Sequence, residues 1–180
     1  MTKSIRQLAR LAGVAYLLNI VTGALAVAFL GLKLPAYGDA SNLIATACYL
    51  VLTVLFYRLF KPVDRQLSLL ATFFSLAGCV LGALGSLHLS PFHMSPLVFF
   101  GAYCLLIGYL IARWTFLPRI LGLLMVFAGL AWLVFLWPTL ARSLSPYIMA
   151  PGLIGEGALT FWLLTVGVNV PRWNAQAATS

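Results

Sequence analysis

Acidic side chains are nearly absent from this chain: Asp39, Asp64 and Glu156 stand against eleven Lys and Arg in 180 residues. Charged residues of both signs make up only 8%. A soluble domain carries about 25%, so a water-exposed globular fold is excluded. Cysteine is scarce as well. Cys48, Cys79 and Cys104 fall one to an apolar segment, with no CxxC pair and no zinc spacing. That excludes a disulfide framework and a thiolate metal centre, and leaves them as small buried hydrophobes. No Walker motif, dinucleotide fingerprint, nucleophile elbow or HExxH pair occurs, so the sequence leaves any cofactor unknown. An enzyme is not excluded by this, because membrane enzymes often use dispersed residues.

What the chain has in abundance is apolar surface: 63% hydrophobic residues and a mean hydropathy of +1.04. This is the composition of a membrane protein. The net charge of +8 would suggest nucleic acid in a soluble chain, but here the basic residues flank apolar runs. That is the pattern by which a membrane protein sets its orientation, so the partner is the lipid bilayer and not nucleic acid. The basic start and the "ALA" at residues 24–26 suggest a signal peptide, but the apolar run exceeds 20 residues. It reads as a retained first helix.

A spanning helix needs about 20 mostly apolar residues. Six segments qualify, at about 8–31, 41–60, 67–88, 96–113, 118–141 and 149–169, separated by turn chemistry such as "KLPAYGDAS", "KPVDRQ" and "HLSPFHMSP". The fold class expected is all-α and integral to the membrane: residues 1–180 as a single compact bundle of six transmembrane helices. Six spans put both termini on one side. That side would carry Lys3, Arg6, Arg10, Arg58, Lys61, Arg65, Arg113, Arg119 and Arg172, leaving only Lys33 and Arg142 opposite. Such a bias places both termini in the cytoplasm and the protein in the cytoplasmic (inner) membrane.

Small-residue stripes suggest how the helices pack. Ala71, Ser75, Gly78, Gly82 and Ser86 form one on the third helix, and Gly101, Cys104, Gly108 and Ala112 another on the fourth. Small residues allow the close backbone approach that drives helix association in lipid, so these two helices are expected at the centre. Trp114, Trp132, Trp137 and Trp173 lie near helix ends, as interfacial anchors would.

Glu156 is the one acid well inside an apolar run. An intramembrane carboxylate costs about 2.5–3.5 kcal/mol on insertion scales and is by default a functional candidate. A span of 149–169 puts it about seven residues, or roughly 10 Å, from the outer end, in the outer third of the membrane. Gly152, Thr160 and Leu163 share its face. His88, His93, Arg142, Asp39 and Asn42 fall at that depth or just outside it, and Tyr16, Asn19 and Gly23 line one face of the first helix. The expectation is a pocket open to the outside, floored by Tyr16 and Asn19, with Glu156 on its wall. Glu156 is then the candidate acid or base, with Tyr16, Asn19, Asn42, His88, His93, Tyr103, Arg142 and Thr160 as candidate ligand-binding residues. Alternatively it pairs with Arg142 or a histidine, or bonds a hydroxyl, and only locks the last helix. A metal held by His88, His93 and Glu156 is chemically feasible, but a five-residue spacing broken by Pro91 is no ligand signature, and capping or solvated histidines are the plainer reading.

Taken together, "RLAGVAYLLNIVTG", "LFYRLFKPVDRQLSLLATFF", "FFGAYCLLIGYLIARWTFLPRILGLLMVFAGLAWL" and "LSPYIMAPGLIGEGALTFWLLTVGV" resemble domain of unknown function family 4386, small bacterial integral-membrane proteins. The resemblance implies a multi-span protein in which Glu156 matches a glutamate of the last helix. It also implies a histidine in the fourth helix where this chain has Tyr103, and a charged residue in the third near Ser75. This chain departs from the family at both, which weakens an acid–base or metal mechanism here. Three functions stay open: a site that binds or processes a small amphipathic or lipid-like molecule, a structural or regulatory subunit without catalysis, and a small-solute or proton-coupled carrier. Residues 1–90 and 91–180 show no convincing repeat, which counts against the carrier. Assembly as a homo-oligomer is open.

Overall fold

The computed structural model describes residues 2–89 and 94–178, with side chains from Ile5 onward. Among these the chain is helical without strands. The main helices are α1 (Thr2–Gly31), α2 (Pro35–Phe60), α3 (Arg65–Ser86), α4 (Leu97–Arg113) and α5 (Arg119–Leu133). After a 3-10 turn come α6 (Pro138–Ser143), a second 3-10 turn, α7 (Ala150–Thr165) and α8 (Val170–Ala177). Five stretches are long and apolar enough to cross a membrane: Ile5–Gly31, Pro35–Phe60, Arg65–Ser86, Arg119–Leu136 and Tyr147–Thr165. Leu97–Arg113 is equally apolar but shorter, at 17 residues.

Local chemistry sets the boundaries. Pro35 occupies the first turn of α2, where its missing N–H costs nothing. Asp64 caps α3 by accepting from the Leu67 amide at 3.0 Å. The apolar run expected as one helix over 118–141 breaks, because Pro138 donates no N–H and pushes Trp137 out of the helical region (φ −113°, ψ 88°). Its tail becomes the separate short α6. The last long helix stops at Thr165 instead of 169; Gly167, at φ +77°, turns the chain into α8, which the apolar pattern does not announce.

The six longer helices pack in sequence order into a closed ring, α1 against α2, α2 against α3, and on through α4, α5 and α7 back to α1. The expectation that the third and fourth helices sit at the centre is therefore corrected. α3 touches α2 and α4 and turns Phe73, Leu76 and Val80 outward. No helix fills the middle; side chains do. Tyr16, Leu52, Phe56, Tyr103, Cys104, Ile107, Met125, Leu159 and Leu163 are all fully or almost fully buried there. Outward faces carry Leu11, Val51, Leu123, Leu130 and Phe161, exposed as lipid-facing residues should be.

Small residues still do the work their spacing implies, at the seams of the ring. Gly101 and Gly108 of α4 meet Gly129 and Gly122 of α5 back to back. A β-carbon at Gly108 would stand 2.7 Å from the Gly122 carbonyl oxygen, and one at Gly122 2.6 Å from the Gly108 oxygen. Here a helix backbone itself is the neighbour and cannot swing aside. Gly122→Ala should therefore lower the thermal unfolding temperature in detergent, at a cost of about 1–3 kcal/mol for overpacking. Gly23→Ala, with nothing within 4 Å of the added carbon, should be neutral or stabilise by about 0.5–1 kcal/mol. Equal effects of the two substitutions would refute this seam.

Candidate functional site

Glu156 points into the ring from α7 and is 9% exposed. It follows six residues after the start of a helix that ends at Thr165, so it lies nearer the middle of its helix than a span of 149–169 would place it. Trp132 of α5 donates its indole N–H to Oε1 at 2.8 Å, and the Cys104 thiol of α4 approaches the same oxygen at 3.7 Å. Three helices are thus tied at one carboxylate oxygen. Among the described residues no Lys, Arg or His pairs with it; the ion pairs present are His88–Asp39 at 3.2 Å and Arg113–Asp64 at 3.9 Å. The Arg142 or histidine partner weighed from sequence is replaced by neutral donors.

Beside the carboxyl gather three tyrosines, Tyr16 from α1, Tyr49 from α2 and Tyr103 from α4, all within electrostatic reach of Glu156. Their rings pack edge to face, Tyr16 on Tyr49 at 6.1 Å and Tyr49 on Tyr103 at 5.7 Å, a favoured aromatic geometry. All three hydroxyls are buried; that of Tyr16 is directed at the Glu156 carboxyl and that of Tyr49 at the Cys104 thiol, each short of a well-formed hydrogen bond, and that of Tyr103 has no partner. A buried hydroxyl left unpaired costs about 1–3 kcal/mol, and each such group calls for an explanation. Next to them Thr53 of α2 and Ser75 of α3 join hydroxyls between these neighbouring helices, which gives the polar face of α3 its own partner.

The remaining sequence candidates disperse. Asn19 donates to the Ala45 carbonyl at 3.1 Å, joining α1 to α2. Asn42 donates to the Ser86 hydroxyl at 2.6 Å, joining α2 to α3. Thr160 bonds the Glu156 backbone carbonyl at 2.7 Å, within its own helix. His88 follows the C-cap of α3 with φ +56°, its ring largely exposed beside Asp39. Arg142 is exposed on α6, and His93 lies outside the described residues. No group of three or more His, Cys, Asp or Glu suited to a metal occurs among the described residues.

Two members of the cluster escape a reading of the sequence. Trp132, expected as an interfacial anchor, turns inward on the same face of α5 as Met125 and Ala128, and that i, i+3, i+7 spacing is the signal that marks it. Tyr49 shares the buried face of α2 with Thr53 and Phe56 in the same way. The helix that carries Glu156 is tightly packed on its α5 side: the Trp132 ring lies so close to Gly152 that no β-carbon fits, and Gly155 abuts the Leu124 carbonyl. A cavity of about 440 Å³ lies at the other end of the bundle, between the α4–α5 and α7–α8 connections.

The apolar helices and their ring define an all-helical, multi-pass membrane protein. Residues 86–167, just under half of the chain, match the family described as Domain of unknown function (DUF4386), in agreement with the resemblance read from the sequence. That stretch contains Tyr103, Cys104, Trp132 and Glu156 but not Tyr16 or Tyr49. No curated protein and no solved structure matches the chain.

The Glu156–Trp132 bond makes a checkable claim about coupling. Trp132→Phe strips a buried acceptor of its donor and should destabilise the protein by about 1–3 kcal/mol. Replacing both partners by apolar groups removes the unpaired group as well as the bond. Trp132→Phe with Glu156→Leu should then cost less than the sum of the single changes, by about 0.5–3 kcal/mol in a double-mutant cycle of thermal or denaturant unfolding. Strict additivity would mean that the bond is not made.

Proposed function

We propose that the chain crosses the cytoplasmic membrane six times with both termini in the cytoplasm, and that the polar interior around Glu156 holds the polar head of a small amphipathic or lipid-like molecule. The sixth crossing is α4. At about 1.5 Å per residue its 17 residues extend roughly 25 Å, close to the hydrocarbon thickness. Its ends support that path. The Asn169 amide bonds the Phe116 carbonyl, and Trp173 Nε1 bonds the Leu59 carbonyl. These bonds gather the α2–α3, α4–α5 and α7–α8 connections at one end, so α4 has to return the chain from the other. The gathered end also carries Arg58, Lys61, Arg65, Arg113, Arg119 and Arg172, the charge expected of a cytoplasmic face.

The observation that carries the binding reading is the set of three buried tyrosine hydroxyls beside a carboxyl group, none of them in a well-formed hydrogen bond and that of Tyr103 without a partner. Trp132 and Cys104 hold Oε1 of Glu156 in place. Tyr16, Tyr49 and Tyr103 then offer donors and acceptors that a hydroxyl- or amine-bearing head would satisfy. Glu156 is the group of the site able to accept or release a proton, and so the candidate acid or base should the bound molecule be processed. The tight fit of Trp132 on Gly152 means that entry requires α5 and α7 to part.

That same tightness favours a second reading, a structural or regulatory membrane subunit in which Glu156 is a clasp. Native mass spectrometry on protein extracted gently from its host membrane, beside Glu156→Gln, separates the two. The binding reading expects a small-molecule adduct on the wild type that is lost from the variant. Bare spectra for both, with a folded variant that is less heat-stable, would reject it in favour of the clasp.

A further inference from the structure

The cavity at the basic end lies in no part of the Glu156 cluster, and its lining has a chemistry of its own. The walls are apolar, from Phe116, Leu117, Trp162 and Val166, and the rim carries two guanidinium groups, Arg119 and Arg172. Phe116 and Leu117 are buried, whereas Val166 and both arginines are exposed. One side of the cavity is therefore fixed by the fold and the other faces the surroundings. One donor of Arg172 is used, Nη1 to the Thr115 carbonyl at 3.1 Å, which anchors this guanidinium across the cavity from α8 to the α4–α5 connection.

Neither arginine has a carboxylate partner among the described residues, and the composition says why. Asp39 pairs with His88 and Asp64 with Arg113, while Glu156 is enclosed by Trp132 and Cys104. The described part of the chain has no fourth side-chain acid to offer. Two cations at the rim of an apolar cavity, at the end where a membrane helix emerges, lack an anion that the protein does not supply. Arg119 also opens α5, whose first turn has no side-chain cap and no acidic residue, which adds to the attraction for negative charge there.

We propose that this cavity binds an anionic phospholipid of the surrounding leaflet. The phosphate sits between Arg119 and Arg172, and the first segment of an acyl chain lies along Phe116, Leu117, Trp162 and Val166. A guanidinium presents paired donors to phosphate, and the apolar wall suits what is attached to a phospholipid's phosphate rather than a free anion. The site is independent of the Glu156 cluster.

The test is binding of phosphatidylglycerol to the full chain in detergent micelles, read by native mass spectrometry against phosphatidylcholine. The wild type should retain phosphatidylglycerol preferentially. Arg119→Gln should weaken that retention about fivefold, the share of one basic side chain near an anionic surface. Arg142→Gln, an equal charge change at the opposite end, should leave it unchanged. Arg172→Lys, which keeps the charge but loses the fork, should weaken it without unfolding the protein, as its melting temperature would verify. Equal retention of the two lipids, or equal loss in Arg119→Gln and Arg142→Gln, would overturn the proposal. So would displacement by millimolar inorganic phosphate, which would assign the cavity to a soluble anion.

Discussion

A carboxyl group inside a membrane bundle, with no cation to answer it, has to be surrounded by donors, and the arrangement of the helices follows from that requirement. Glu156 receives an indole N–H from α5 and faces a thiol from α4, while tyrosines from α1, α2 and α4 turn toward it. None of these elements could supply its group if the helices lay side by side as a sheet. They converge because α1 packs on α7 and closes the ring, and the ring closes because glycines at its seams let backbones approach. Gly13 of α1 lies against Leu164 of α7, and Gly155 of α7 against the α5 backbone. In lipid, where apolar side chains gain little by leaving the solvent, such contacts carry much of the association.

Polarity divides the molecule in a second way. The interior cluster is neutral apart from one carboxyl, whereas the end that gathers Phe116, Leu59 and Trp173 is rich in arginine and holds the cavity. An aromatic succession joins the two regions, from Tyr49 through Tyr16, Phe56 and Phe60 to Phe116, with ring centroids 5.6–6.1 Å apart. Phe116 is also a wall of the cavity. The stretch that matches the family contributes Trp132, Cys104 and Glu156, while α1 and α2 contribute Tyr16 and Tyr49 from outside it. The completed cluster therefore depends on both halves of the chain.

Much of this is legible in the sequence, where a single strong signal decides. Apolar length and turn residues identify the membrane helices, and the position of Glu156 singles it out. Periodicity alone does not reveal what three-dimensional closure decides. Trp132 has the sequence context of an interfacial anchor; it is an interior donor because it lies on the buried face of α5 with Met125 and Ala128, opposite Glu156 of α7. Pro138 breaks an apolar run whose hydropathy continues undisturbed through it. The glycine stripes are correctly read as contact surfaces, but a stripe on one face cannot say whether its helix is central or one member of a ring. Spacing is equally silent on partners: polar residues at similar depth, such as Asn19, Asn42 and His88, are each engaged by a neighbouring helix.

Closure of the ring is the claim on which the interior site stands, and it can be measured directly by placing cysteines at Gly13 and Leu164 in a chain from which Cys48, Cys79 and Cys104 have been removed. The Gly13 β-carbon position lies 2.9 Å from Leu164 Cγ, within disulfide reach. Leu30 and Gly38, adjacent across the α1–α2 hairpin, supply a positive control with the same geometry. Mild oxidation in membranes should join both pairs within single chains. Cross-linking of the hairpin pair without the Gly13–Leu164 pair would contradict a closed ring, and with it the enclosure of Glu156.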